Sequence, residues 1–333
     1  MAQQATSRTI DVVTSVWQHA LHRLSVGARD NFFEIGGDPR AAAELCCEIE
    51  RRLGRLMHPM MVYRMPTITS LTEGLQAEEL PCMPPLIQLK PGDARTPLLI
   101  AHGVGGSILE FFELAKHLDS GRAVYGMQAK GSDGTSEPLD RIEDMAEFHL
   151  EAIRQLQPRG PYFLAGHSLG GLVALEIARR VLESNEDPGL LVMIDSYPHL
   201  KHLAPSQQAR LIARLAARRV FGVKEPPAAA PKQENQKTPP LEIPANAKAV
   251  MRRVQEAGYV ALERYRPRFY DGKIHFVRAQ VVSIFPEDPA SVWSRFAREF
   301  ELESVPGDHF GMLSTHVQAL GAMLNRYAHE LDG

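Results

Sequence analysis

The chain has 333 residues, 44% of them hydrophobic and 23% charged, enough for a large core and two domains and ordinary for a globular protein. A net charge of −3, from 37 basic and 40 acidic residues, argues against a nucleic-acid binder, whose basic excess would show. The three cysteines, Cys46, Cys47 and Cys82, have no metal-ligand spacing and make no disulfide framework; residues 1–13 lack an apolar leader core and no run approaches a membrane span, so a cytoplasmic protein with no metal and no membrane partner is expected.

Residues 8–78 read as a small helical unit. Ile10, Val13, Val16, Trp17, Ala20, Leu21 and Leu24 recur at helical spacing, a loop carries Asp30-Asn31-Phe32-Phe33 and Gly36-Gly37, and helices follow over Pro39–Leu53, Met60–Tyr63 and Thr67–Gln76. Four short helices without a strand pattern predict a bundle. Residues 79–96, with Pro81, Pro84, Pro85 and Pro91, read as a linker.

From 97 to 330 the pattern is that of an α/β domain with a parallel sheet. Leu98–Ala101, Ala123–Met127, Tyr162–Ala165, Leu190–Ile194, Ile274–Val277 and Leu302–Val305 are apolar runs of buried-strand length, and Met145–Gln155 and Leu172–Leu182 are helical. The stretch from Asp195 to Ile274 far exceeds the ~30 residues of a βαβ unit. It holds amphipathic helices such as Leu211–Val220 and a tract from Glu225 to Pro244 that is too poor in large apolar residues to bury a core. A helical lid over about 198–268 is the expectation.

Gly166-His167-Ser168-Leu169-Gly170 stands between a strand and a helix, the setting of the G-x-S-x-G nucleophile elbow. A serine hydroxyl needs a base, and the base needs a carboxylate to fix its tautomer. The chain supplies both in the order Ser, acid, His: Ser168, then Asp195 at the end of a strand, then His309 in the turn Val305-Pro306-Gly307-Asp308-His309-Phe310. Asp288, also in a loop after a strand, competes for the acid role. His102 and His167 read as positional. The oxyanion donors are expected at the backbone N–H of Leu169, after the nucleophile, and of Val104 in His102-Gly103-Val104-Gly105-Gly106.

These residues, with Tyr125-Gly126-Met127-Gln128-Ala129, Gly160-Pro161-Tyr162-Phe163-Leu164-Ala165 and Ile194-Asp195-Ser196-Tyr197-Pro198, resemble the C-terminal thioesterase domains of nonribosomal peptide synthetases and polyketide synthases. The resemblance spans roughly 85–330 and implies an α/β-hydrolase fold with a lid over an acyl channel. It implies an acyl-enzyme on Ser168, with Asp195 as acid and His309 as base. Asp30-Asn31-Phe32-Phe33-Glu34-Ile35-Gly36-Gly37-Asp38 and Pro66-Thr67-Ile68 resemble a peptidyl carrier domain. Carrier domains place a serine after Gly-Gly-Asp, and it receives the phosphopantetheine arm. Here that position is Pro39, followed by Arg40, and no serine lies between Ser25 and Ser70. The expectation is a carrier-like docking or spacer module that bears no cofactor. The thioester substrate would then arrive on a partner carrier in trans, for hydrolysis or cyclisation. An editing thioesterase, a general carboxylesterase and a non-catalytic docking protein are the alternative functions.

Overall fold

The computed structural model describes residues 2–55, 57, 59–77, 82–220, 245–281, 286 and 288–332. Two compact units divide the chain, one built chiefly on residues up to Pro84 and one chiefly from Pro85 onward.

The first unit holds α1 (Ala2–Ala20), α2 (Pro39–Leu53), α3 (Met60–Arg64) and α4 (Ile68–Gln76). Val13, Val16 and Trp17 on α1 and Ala42, Leu45, Cys46 and Ile49 on α2 recur at three- and four-residue steps, so each helix turns one stripe inward. They close on Phe32, whose ring meets that of Trp17 edge-on at 5.0 Å. Two positions grouped with this stripe from the sequence are not core: Ile10 is 42% exposed, and Leu24, beyond the end of α1, is fully exposed. The helix ends are closed by local chemistry. Asp38 accepts the Ala41 N–H, Gly54 ends α2 in the left-handed conformation, and Thr67 and Ser70 form a reciprocal capping box on α4.

The second unit is a seven-stranded sheet in the order β1-β3-β2-β4-β5-β6-β7. Its strands are β1 (Leu86–Lys90), β2 (Leu98–Ala101), β3 (Val124–Met127), β4 (Phe163–His167), β5 (Leu190–Ile194), β6 (Tyr270–Ala279) and β7 (Ala297–Val305). Its helices are α5 (Phe111–Lys116), α6 (Ile142–Leu156), α7 (Leu169–Glu183), α8 (Pro205–Val220), the part from Val254 onward of α9 (Ala245–Arg264), α10 (Pro289–Trp293) and α11 (Val317–Asp332). β2, β4 and β5 are buried at every position, as central strands covered on both faces must be. All pairings are parallel except that of β1, which runs antiparallel to β3 at the edge.

β1 corrects the reading of 79–96 as a linker. The prolines on both sides mask a five-residue strand that begins the sheet before the expected start at 97. α7 begins at Leu169, directly after the serine, because Gly170 and Gly171 belong to its first turn. Between β5 and β6 lie a 3-10 turn at Leu200–His202, α8 and α9; Leu203, Leu211, Ala261 and Tyr265 from this insertion join the main core. The proline-rich tract at 225–244 lies outside the described residues.

Candidate active site

Sheet register sets the site. His167 at the end of β4 pairs with Ile194 at the end of β5, and Ile194 pairs with Val277 on β6. Ser168 and Asp195 are each the next residue, so both emerge at the carboxyl edge of the sheet, where sites of open α/β sheets form. Val305, opposite Ala279, ends β7 and leads into the turn that carries His309.

Ser168 has φ 57° and ψ −121°, a strained conformation for a residue with a Cβ, and its side chain makes no capping bond to α7. The strain is held by its surroundings. The Ser168 N–H donates to the Ile194 carbonyl at 2.9 Å. Strand and helix pass so closely that a Cβ on Gly166 would stand 2.1 Å from the Gly170 oxygen, and one on Gly170 2.2 Å from the Ala101 oxygen. Only glycine fits at these two positions.

Asp195 also has positive φ, 44°, and its N–H donates to the Val277 carbonyl at 2.7 Å. Its carboxylate Oδ2 accepts from His309 Nδ1 at 2.7 Å, both groups being buried. With Nδ1 as the donor, the basic lone pair of His309 lies on Nε2. The rival acid Asp288 instead stands at the N-terminus of α10, where its carbonyl accepts the Ser291 hydroxyl. His167, next to the serine, donates from Nε2 to the backbone carbonyl of His309 at 2.9 Å, and their rings lie 4.4 Å apart. One set of bonds thus ties the serine, the acid and the histidine segments together. Burial, and secondly the nearby His309, hold His167 well below the ordinary histidine range; burial does the same to His149, and holds His102 lower too. In all three, burial disfavours the charged form.

Of the two expected oxyanion residues, Leu169 directly follows the serine, and Val104 follows Gly103, which lies near the serine side chain. Leu169 is the first residue of α7, so its N–H has no acceptor within the helix. The turn 103–106 approaches from β2: a Cβ on Gly103 would lie 3.9 Å from the Ser168 Cβ. Sequence reasoning assigns no role to Gln128, which is buried with its amide donating to the Gly106 carbonyl at 3.0 Å and so steadies that turn. A buried glutamine at the end of an apolar strand was the signal for it. No cluster of metal-ligating side chains occurs among the described residues, and none of their helices is long and apolar enough to cross a membrane.

Residues 96–327 match the protein-family model of the thioesterase domain, and residues 11–75 that of the phosphopantetheine attachment site. The second match stands against the expectation that no phosphopantetheine belongs to this chain, whereas the residue after Gly36-Gly37-Asp38 is Pro39. The chain is 32% identical over 211 residues to a dimodular nonribosomal peptide synthase of Bacillus subtilis, covering 62% of this chain and 9% of that protein. It is 34% identical over 184 residues to an indigoidine synthase of Streptomyces lavendulae, covering 55% and 14%. The chain therefore spans only a small part of the curated relatives it matches. Among solved structures, a holo four-domain nonribosomal peptide synthetase bound to AMP and glycine superposes with TM-score 0.61 at 22% identity, over 95% of this chain and 26% of that one. The NocB thioesterase domain in covalent complex with a fluorophosphonate nocardicin G analogue does so at 0.53 and 20%, over 73% and 98%. At these identities the structures attest the fold.

Proposed function

The chain belongs to the thioesterase domain family, and from that premise we propose that it releases a peptidyl or polyketide chain from a carrier-bound thioester through an acyl-enzyme on Ser168. The buried His309–Asp195 hydrogen bond, one link from the strained Ser168, carries this reading. Ser168 Oγ attacks the thioester carbonyl while His309 Nε2 takes its proton, and Asp195 stabilises the imidazolium. The tetrahedral oxyanion is held by the Val104 and Leu169 amides. Its collapse breaks the C–S bond, and His309 returns the proton to the departing thiol. Water, or a nucleophile within the acyl chain, then attacks the ester and gives a free acid or a ring. The insertion at about 198–268 acts as the lid over the acyl channel.

The carrier-like domain serves as a docking module that is not itself loaded. A phosphopantetheine arm is joined as a phosphodiester to a serine hydroxyl, and Pro39 has none to offer. The Asp38 carboxylate is engaged as a helix cap, accepting the Ala41 N–H at 2.7 Å. The thioester therefore comes from a carrier domain of a synthetase acting in trans. The three cysteines, all unpaired, suit a reducing cytoplasm for this encounter.

A fluorophosphonate probe tests the mechanism. Peptide mapping should place one label on Ser168, absent in Ser168→Ala and strongly reduced in His309→Ala. Labelling that survives both substitutions contradicts it.

A further inference from the structure

The turn that offers the Val104 amide is held on two sides. The Gly103 carbonyl accepts from the Gly106 N–H at 3.0 Å and from His102 Nδ1 at 2.8 Å, and a carbonyl can only accept, so His102 carries its proton on Nδ1. In a trans peptide the carbonyl and the following N–H point in opposite directions. Two donors on the Gly103 oxygen therefore fix the direction of the Val104 N–H. The next peptide plane, with the Val104 carbonyl, is free of this constraint and meets something else: helix α9.

Gly258 stands within α9, well short of its end at Arg264, so it is not a cap. Glycine is the poorest helix former after proline, so helix formation alone would favour alanine here. The contact accounts for it. A Cβ on Gly258 would lie 2.7 Å from the Val104 oxygen and 3.1 Å from Val104 Cγ2. One helical turn earlier, on the same face, the buried Val254 covers the other end of the turn: a Cβ on Gly106 would stand 2.3 Å from Val254 Cγ1. Gly106, at φ 75°, is the residue on which the turn closes. Gly105, between these contacts, has open space around it.

We propose that Gly258 and Val254 are positioning residues of the oxyanion hole: α9 backs the 103–106 turn, so that the seating of this inserted helix sets the aim of the Val104 amide. The inference rests on Val104 as an oxyanion donor, the reading given above. It assigns α9 a part in turnover itself, beyond covering an acyl channel. A side chain at 258 pushes helix and turn apart; a smaller one at 254 leaves the turn slack. Both changes misplace the same donor from opposite directions.

The experiment compares Gly258→Ala, Gly258→Val and Val254→Ala with the wild-type full chain. It measures kcat and KM on an acyl pantetheine thioester, each corrected for the fraction of sites titrated by fluorophosphonate, and the affinity for an acyl-chain boronic acid, whose tetrahedral adduct mimics the oxyanion. Misplacement of a catalytic group by about 1 Å can cost roughly 100-fold in rate. The expected result is a loss in kcat of about tenfold in Gly258→Ala and more in Gly258→Val, with KM within about threefold and boronate affinity falling alongside kcat. Val254→Ala moves the same two quantities in the same direction, and Gln255→Ala, exposed on the same helix, moves neither. Should Gly258→Ala not fold, Val254→Ala carries the comparison alone. Variants with kcat per titrated site and boronate affinity within about twofold of wild type overturn the proposal, since a merely structural role lowers only the fraction of active sites. Failure of the underlying reading would appear first in the wild-type chain, as an absence of label on Ser168 or as a boronic acid bound no more tightly than the matching acyl carboxamide, which forms no tetrahedral adduct.

Discussion

Two helices of this chain start at a motif rich in glycine, and they start in opposite ways. At α2 the preceding Asp38 is extended, at φ −127° and ψ 174°, and its carboxylate closes the helix by accepting the Ala41 N–H; Pro39 then occupies the first turn, where a missing N–H loses no helical bond. At α7 the preceding Ser168 is strained, at φ 57°, and its side chain makes no capping bond. The first start spends its polar side chain on stability. The second leaves both a hydroxyl and the Leu169 N–H uncommitted to the helix, and strand pairing and the glycine contacts hold it there. A helix start can serve the fold or the chemistry, and what decides is where the capping atom goes. At α2 the proline in the first turn leaves the helix start intact.

The largest effect is expected at Asp195, beside the strained start of α7. Asp195→Asn should keep the fold and lower kcat by about 10⁴-fold, because the amide cannot hold His309 in the Nδ1–H tautomer; steady-state turnover of a pantetheine thioester checks this, and a loss under tenfold would separate Asp195 from the chemistry. A second effect concerns stability. Burial disfavours the charged forms of His102, His149 and His167 and lowers their folded pKa values from the ordinary value of about 6.5. As pH falls through that value the unfolded chain takes up protons that the folded one refuses, and stability drops. The melting temperature of the second unit should fall between roughly pH 7 and 5, and His149→Phe should flatten the slope. The smallest effect is at the other helix start. Asp38→Ala should cost about 1 kcal/mol in the first unit and leave the kcat of Ser168 unchanged, measured by denaturant melts alongside turnover. A fall in kcat there would join two starts that the comparison holds apart.

What the sequence made legible was local. The elbow, the strands around it and the helices of the first unit depend on neighbours a few residues away, and they stand where spacing put them apart from Ile10 and Leu24, which are exposed. What it hid was tertiary or short. β1 is five residues among prolines and becomes a strand only by pairing with β3. Chain order alone could not choose between Asp195 and Asp288, since both follow strands. The hydrogen bond that links Asp195 to His309 spans 114 positions of the chain. Likewise Gly258 looks like a weak spot in a helix until the Val104 carbonyl is found against it. His167, read from the sequence as positional, lies with its ring bonded to the His309 carbonyl.

The claim that Ser168 is served by a carrier other than the one in this chain is tested most directly by intact and peptide-level mass spectrometry. The full chain is incubated with a phosphopantetheinyl transferase, coenzyme A and a separately acyl-loaded carrier protein. The account predicts one acyl adduct, on the peptide containing Ser168, and no phosphopantetheinyl mass anywhere in residues 8–78. A phosphopantetheinyl adduct within that unit, or an acyl adduct that persists in Ser168→Ala, would contradict it.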